Sequence, residues 1–356
     1  MGRMFKTKRA TIAAAFVILG IGIAIAATRV SFLQGDPPAG SNRKDPAPEF
    51  VGISRWLNSP PLSVRSLRGK VVLVDFWTYS CINCIRTFPA LRALYDRYHD
   101  AGLEIVGVHS PEFDFEKNPG NVQMAIAEHD LPWPVAMDND METWRAYKNH
   151  YWPHVYVIDA RGIIRFDEIG EGSHDQIQTR IRGLLTEAHA TLPAPVDFDE
   201  NLPASGITRE IYAGLARSVE SYLGNRQGYG RVGTVVDYRL PGRTTIDSSD
   251  GQFFLDGRWL ASEEYIEAAE DGAKLVLPFV SRDVFFVAAA SSPVEVRLLL
   301  DGKPVPAAVR GSDAPGGLVR VSSSDLYRLM HLPAVDTHQL TLIANKGFRL
   351  FTFTFG

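Results

Sequence analysis

The chain has 356 residues, a length that suits about two domains. Its 45% hydrophobic and 22% charged content is that of a globular protein and excludes a disordered one. A net charge of −4 gives no reason to expect a nucleic-acid partner, and a total of two cysteines excludes both a disulfide framework and a four-cysteine zinc site.

The first ten residues carry Arg3, Lys6, Lys8 and Arg9 and no acid, and Thr11 to Ala27 then runs without a charge. At about 1.5 Å per residue this run lies at the short edge of what spans a bilayer. Basic residues ahead of it place the N-terminus in the cytoplasm. We expect residues 1–28 to be an uncleaved, single-pass transmembrane helix in the cytoplasmic membrane, with the rest facing the periplasm or cell exterior. A cleaved signal peptide ending near Ala24-Ile25-Ala26 is the competing reading. Either setting is oxidising, so disulfides persist there. Residues 29–49, polar and proline-rich, form a linker that holds the next domain off the membrane.

Val71 to Trp77 is an apolar, β-branched run interrupted by Asp75, and Cys81-Ile-Asn-Cys84 follows after Thr78-Tyr-Ser80. Such a run predicts a central strand buried on both faces. After Cys84 the apolar positions Ile85, Phe88, Leu91, Leu94, Tyr95 and Tyr98 recur at steps of three and four, which marks a helix. Pro89 inside it is a kink. A strand therefore delivers two sulfurs to the first turn of a helix, whose N-terminus favours a thiolate. Leu103–Val108 is the next strand, and residues 110–135 are mixed and broken by Pro111, Pro119, Pro132 and Pro134. Glu142–Tyr151 reads as a helix, His154–Ile158 and Ile163–Phe166 as a hairpin, and Gln176–Ala190 as a closing amphipathic helix. His150 and His154 stand four apart, but Pro153 breaks any helix between them, so no metal site is expected.

Residues 191–205 form a second linker with three prolines. From about 250 the signals are short strands and tight turns. Phe253–Leu260 is expected to turn at Asp256-Gly257. Strands follow at Lys274–Val280, Val284–Ala290, Val294–Leu300, Leu318–Val321, Gln339–Ala344 and Phe348–Phe355. Ser322–Leu329 reads as a short capped helix. This spacing predicts an all-β sandwich, jelly-roll-like, over residues 206–356.

The order β-α-β-α-β-β-α over residues 50–190, with Cys-x-x-Cys at its first helix, resembles the α/β thioredoxin-like fold. Asp75, six residues before Cys81, matches the buried carboxylate of that family. Phe76-Trp77 matches the aromatic pair before its active site, Pro89 its helix-kinking proline, and Trp152-Pro153 its cis-proline facing the disulfide. Residues 107–118, 138–159 and 170–177 are similar to the exported part of DipZ-type cytochrome-c-biogenesis proteins, relatives of the TlpA/ResA thiol reductases. The blocks at 207–214 and 221–230 resemble the same proteins.

The resemblance implies a thiol–disulfide oxidoreductase that reduces protein disulfides. Cys81 would attack and form a mixed disulfide, and Cys84 would resolve it. Asp75 would take the proton of Cys84. The peptide before Pro153 would pair with the substrate backbone. Glu112 lies where related reductases place an acid near the disulfide. Trp77, Tyr79, Tyr151 and Trp152 are expected beside the substrate, with core packing an equal alternative for the last two. No cofactor is expected beyond the Cys81–Cys84 disulfide. DipZ proteins carry a multi-helix electron-transfer domain ahead of this unit, where this chain has one hydrophobic segment. A separate membrane thiol protein is therefore the expected electron donor, and disulfide-containing exported proteins are the expected clients. The resembling C-terminal domain looks like carbohydrate-binding modules. An envelope glycan held on Trp259, Tyr265 and Tyr327 is thus a competing role. Thr78-Tyr-Ser-Cys81 matches the T-x-x-C of peroxiredoxins, but Val74 stands where they carry proline, so a thiol peroxidase is the weaker alternative.

Overall fold

The computed structural model describes residues 44–199, 204–217, 222–241 and 251–356. The expected anchor at Thr11–Ala27 lies outside the described residues, among which no helix is long and apolar enough to cross a membrane.

Strand β1 (Arg55–Leu57), β2 (Val71–Trp77), β3 (Leu103–His109), β4 (Val135–Met137), β5 (His154–Ile158) and β6 (Ile164–Ile169) form a six-stranded sheet in the order β1-β4-β3-β2-β5-β6. Central β2 runs parallel to β3 and antiparallel to β5, and all seven of its residues are buried. That double burial is why its sequence is apolar on both faces. One core joins Val71, Leu73 and Trp77 to helices α1 (Ile82–Tyr98), α2 (Pro119–Glu128) and α4 (His174–Glu187). The other joins Val72, Val74 and Phe76 to Trp144 of α3 (Glu142–Ala146) and to Tyr147 and Tyr156. Asp75 shares the parity of Leu73 and Trp77, which turns it toward α1.

Pro119 opens α2 instead of breaking the chain. It occupies the first turn, where no N–H is missed, and Asn118 caps the helix by accepting from Gly120 N–H at 2.8 Å. Helix α3 stops at Ala146, short of Tyr151, and Lys148 just beyond it takes a left-handed φ of 55°. The Trp152–Pro153 peptide is cis.

The C-terminal half is β-rich. Its strands are β7 (Ile211–Tyr212), β8 (Val235–Tyr238), β9 (Phe254–Ala261), β10 (Ile266–Ala268), β11 (Ala273–Ala290), β12 (Val294–Leu300), β13 (Lys303–Pro304), β14 (Leu318–Val321), β15 (Asp325–Ala344) and β16 (Phe348–Phe355). They form one hydrogen-bonded network. Strand β11 pairs with β9 near its start and with β16 near its end, and β15 follows it along the other edge.

Three local expectations are corrected here. Asp256-Gly257 does not turn: Gly257 sits inside β9 at φ 84°, where a Cβ would lie 2.7 Å from Glu270 Oε1. The two strands expected at 274–290 are one, with a register shift between Ser281 and Asp283. Ser322–Leu329 is no helix, because Tyr327 and Leu329 are buried and Arg328 is exposed, a period of two that belongs to β15. Trp259 is 1% exposed and lies in the core with Phe279, Phe286 and Phe353. Tyr327 is buried and Tyr265 packs on Phe351 at 5.3 Å, so these three rings do not form an open sugar platform.

The two halves share a core of their own. Phe113 and Phe115, from the segment after β3, pack against Phe351 at 5.0 and 4.8 Å, beside Val287 and Ala289. Arg86 of α1 donates to the Phe355 carbonyl and lies over the Phe285 ring. The N–H of Asp114 donates to the Glu264 carboxylate.

Candidate active site

Cys81 is the N-cap of α1, and its Sγ accepts the N–H of Cys84 at 3.2 Å. Both cysteines are free thiols; Cys84 is buried and Cys81 partly so. Burial pushes the Cys81 thiol up, against the lowering effect of its contacts with Cys84. Burial pushes Cys84 well up, and Cys81 and Asp75 add to the effect. The Cys84 N–H at the helix N-terminus favours a Cys81 thiolate, and burial opposes it.

Asp75 is fully buried, and neither carboxyl oxygen has a hydrogen-bond partner. Burial pushes it up to about 7, so it changes charge near neutrality beside Cys84. A carboxyl in that state can take the Cys84 proton as the thiol attacks.

The flank of Cys81 is built differently. Glu112, just after β3, pairs with Arg217 at 2.5 Å and accepts from Tyr212 Oη–H at 2.7 Å. Glu210 lies 2.9 Å from the same hydroxyl, and both carboxylates raise Cys81. Glu116 accepts from Ser80 Oγ at 2.5 Å and from the N–H of Phe113 at 2.9 Å, and burial lifts it to about 7. Arg217 also lies 5.5 Å over the Trp152 ring and 5.1 Å over Tyr212. Glu112 is therefore near the disulfide site, but residues of the β half enclose it. Glu116, Glu210, Tyr212 and Arg217 are not apparent from the motif. The available signal was a pair of charges inside an otherwise apolar block, Arg209-Glu210-Ile211-Tyr212.

The other expected residues take varied places. Trp77 is fully buried, with Phe88 and His109 edge-on at 5.2 and 5.0 Å, and no client can reach it. Residue 107 must be glycine here, since a Cβ would meet Trp77 Nε1 at 2.8 Å. Tyr79 is also buried; its hydroxyl donates to the Ser324 carbonyl at 3.1 Å and accepts from Asn121 at 3.0 Å, which ties the halves together instead of meeting substrate. Trp152 donates Nε1–H to the Ser110 carbonyl at 3.0 Å and packs on Trp144 at 4.1 Å. Tyr151 is 47% exposed and open to a client. His154 is buried against Asn149 and Asp167 at 2.6 and 3.2 Å. A cleft of about 570 Å³ opens beside the motif, lined by Tyr79, Ile82, Ile85, Met124, Phe285 and Leu326 among others.

A Cys-x-x-Cys capping a helix, a partnerless carboxyl beneath it and a cis-proline define a thioredoxin-like dithiol protein. Two family models match the chain: the AhpC/TSA family over residues 44–167 and the thioredoxin like C-terminal domain over residues 208–356. Over 319 residues the chain is 37% identical to Protein DipZ of Mycobacterium tuberculosis, which covers 87% of this chain and 43% of that protein. Over 144 residues it is 31% identical to the thiol-disulfide oxidoreductase YkuV of Bacillus subtilis, covering 40% of this chain and 97% of that protein. Over 132 residues it is 28% identical to the thiol-disulfide oxidoreductase ResA of Bacillus cereus, covering 37% and 72%. The chain belongs to the family of thioredoxin-like thiol–disulfide oxidoreductases. It spans less than half the length of the DipZ proteins it matches.

Proposed function

We propose that the chain reduces disulfides in exported proteins. The observation that carries this reading is the Cys81–Cys84 pair at the N-terminus of α1, with the unpartnered Asp75 carboxyl in the same core; burial raises both thiols, in line with it. An oxidant of this fold is driven by a stabilised thiolate in its reduced form; a pair without that stabilisation gives its electrons up more readily. Cys81 attacks a client disulfide. The client S–S bond breaks, a Cys81–client bond forms, and the second client sulfur leaves as a thiol. Cys84 then attacks Cys81 Sγ and gives its proton to Asp75. The Cys81–Cys84 bond forms, the Cys81–client bond breaks, the first client sulfur leaves as a thiolate that takes a proton from solvent, and two electrons have passed to the client.

Both cysteines of the chain sit in this one motif, which favours a separate membrane thiol protein as the electron donor. The charge-free run Thr11–Ala27 behind four basic residues supports a single-pass anchor with the remainder exported. We assign residues 50–190 to the redox domain and 206–356 to a jelly-roll-like sandwich that covers its site. The buried state of Trp259 and Tyr327 favours that role over glycan binding.

Insulin reduction by the purified full chain tests the proposal. Cys81→Ser is expected to abolish it, and full activity in that variant would overturn the reading. The AhpC/TSA match and Thr78-Tyr-Ser-Cys81 favour a second reading, a thiol peroxidase. Peroxide consumption that needs Cys81 and survives Cys84→Ser would select it.

A further inference from the structure

We propose that the β half completes the redox site on the Cys81 side: Glu210, Tyr212 and Arg217 form, with Glu112, a chain whose two carboxyls hold one proton between them and set the charge beside the attacking sulfur. The inference rests on the dithiol reading above and adds residues to it.

Tyr212 Oη lies 2.7 Å from Glu112 Oε1 and 2.9 Å from Glu210 Oε2. A phenol has one proton and can donate to only one of them. One carboxyl must therefore be protonated and donate to the phenol oxygen. Arg217 decides which. Its guanidinium pairs with Glu112 at 2.5 Å, so Glu112 carries the negative charge and Glu210 the proton. Burial lifts Glu210 to about 8, in line with that assignment. The order is then Glu210–H to Tyr212 to Glu112 carboxylate to Arg217.

The surroundings keep this chain intact. Arg217 is fixed over the rings of Trp152 and Tyr212. The other titratable groups facing it are Cys81, Glu116 beneath Ser80, and Glu263 and Glu264 from the loop between β9 and β10. With Glu210 protonated, Glu112 and Arg217 cancel and the chain is neutral. Loss of that proton puts one net negative charge beside Cys81 and disfavours its thiolate. These are positioning residues: they act on Cys81 through charge.

The test is Glu210→Gln in the full chain, because a glutamine amide donates to Tyr212 Oη as a protonated carboxyl does. The first readout is the pH profile of Cys81 alkylation by iodoacetamide, followed by the mass of the Cys81 peptide. The midpoint is expected to fall by about one pH unit, the size of a removed neighbouring charge. An unchanged midpoint overturns the proposal. The second readout is thermal unfolding at pH 7. The variant is expected to melt at or above wild type. A chain that melts well below wild type, or does not fold, shows that Glu210 is needed as an ionised acceptor and also overturns the proposal. Neither readout uses a client or an electron donor, so insulin reduction judges the dithiol reading separately.

Discussion

Cys84 and Cys81 stand three residues apart and face opposite kinds of surroundings. The inner sulfur is served by one acid from its own sheet, Asp75, which has no hydrogen-bond partner. The outer sulfur faces a bonded network of four side chains, three of them from the β half. A lone buried carboxyl titrates near neutrality because nothing stabilises its charge. A bonded cluster can hold its charge fixed by sharing a proton. One motif thus has a proton acceptor on one side and a charge regulator on the other; the first belongs wholly to the thioredoxin-like half and the second mostly to the β half.

Substitutions at five residues probe that contrast, in four steps of decreasing effect. The largest effect is expected at the sulfurs: Cys81→Ser removes disulfide reduction altogether, while Cys84→Ser accumulates a covalent client adduct visible on non-reducing gels. Next is Asp75→Asn, which is expected to slow insulin reduction at pH 7 by about 10²-fold, the lower range for loss of a general acid or base.

The same substitution alters the pH dependence of stability. The folded value of Asp75 is raised from 3.8 to about 7, so the native chain binds the extra proton. Stability is full below about pH 4 and falls as pH rises toward 7, by on the order of 4 kcal/mol from this group. Urea midpoints at pH 4 and pH 8 should differ less in Asp75→Asn than in wild type.

Third is Phe351→Ala, which empties the core shared by the halves. A loss of about 3 kcal/mol is expected, together with faster alkylation of Cys81. A second calorimetric transition in this variant would show the halves uncoupling. The smallest effect is Tyr79→Phe, which removes the hydrogen bond to Ser324 and should cost about 1 kcal/mol.

The inner flank was legible in the sequence because its parts are close in the chain. Val71 to Cys84 is one continuous signal, and Asp75 stands out as the charge in an apolar strand. Pro153 was legible through the resemblance. The outer flank was not, since Glu112 meets Tyr212 and Arg217 across 100 and 105 residues. No periodicity reports such a contact. Helix α2 was hidden because Pro119 can break a helix or begin one, and only the cap at Asn118 decides. Residues 322–329 misled for a similar reason: three serines ahead of Asp325 imitate a helix start, while the burial of Tyr327 and Leu329 in a sheet overrides it. Trp77 and Tyr79 are near Cys81 in the chain but not open to substrate: one fills the core and the other bonds the β half.

A Cys81–Cys84 pair whose thiols are raised by burial is expected to work as a reductant. The reduction potential of the Cys81–Cys84 couple, measured by equilibrating the full chain with glutathione and dithiothreitol buffers, tests it most directly. The expected value lies below the glutathione poise of about −220 to −260 mV. A value at or above about −180 mV, where oxidising members of this fold operate, would contradict it.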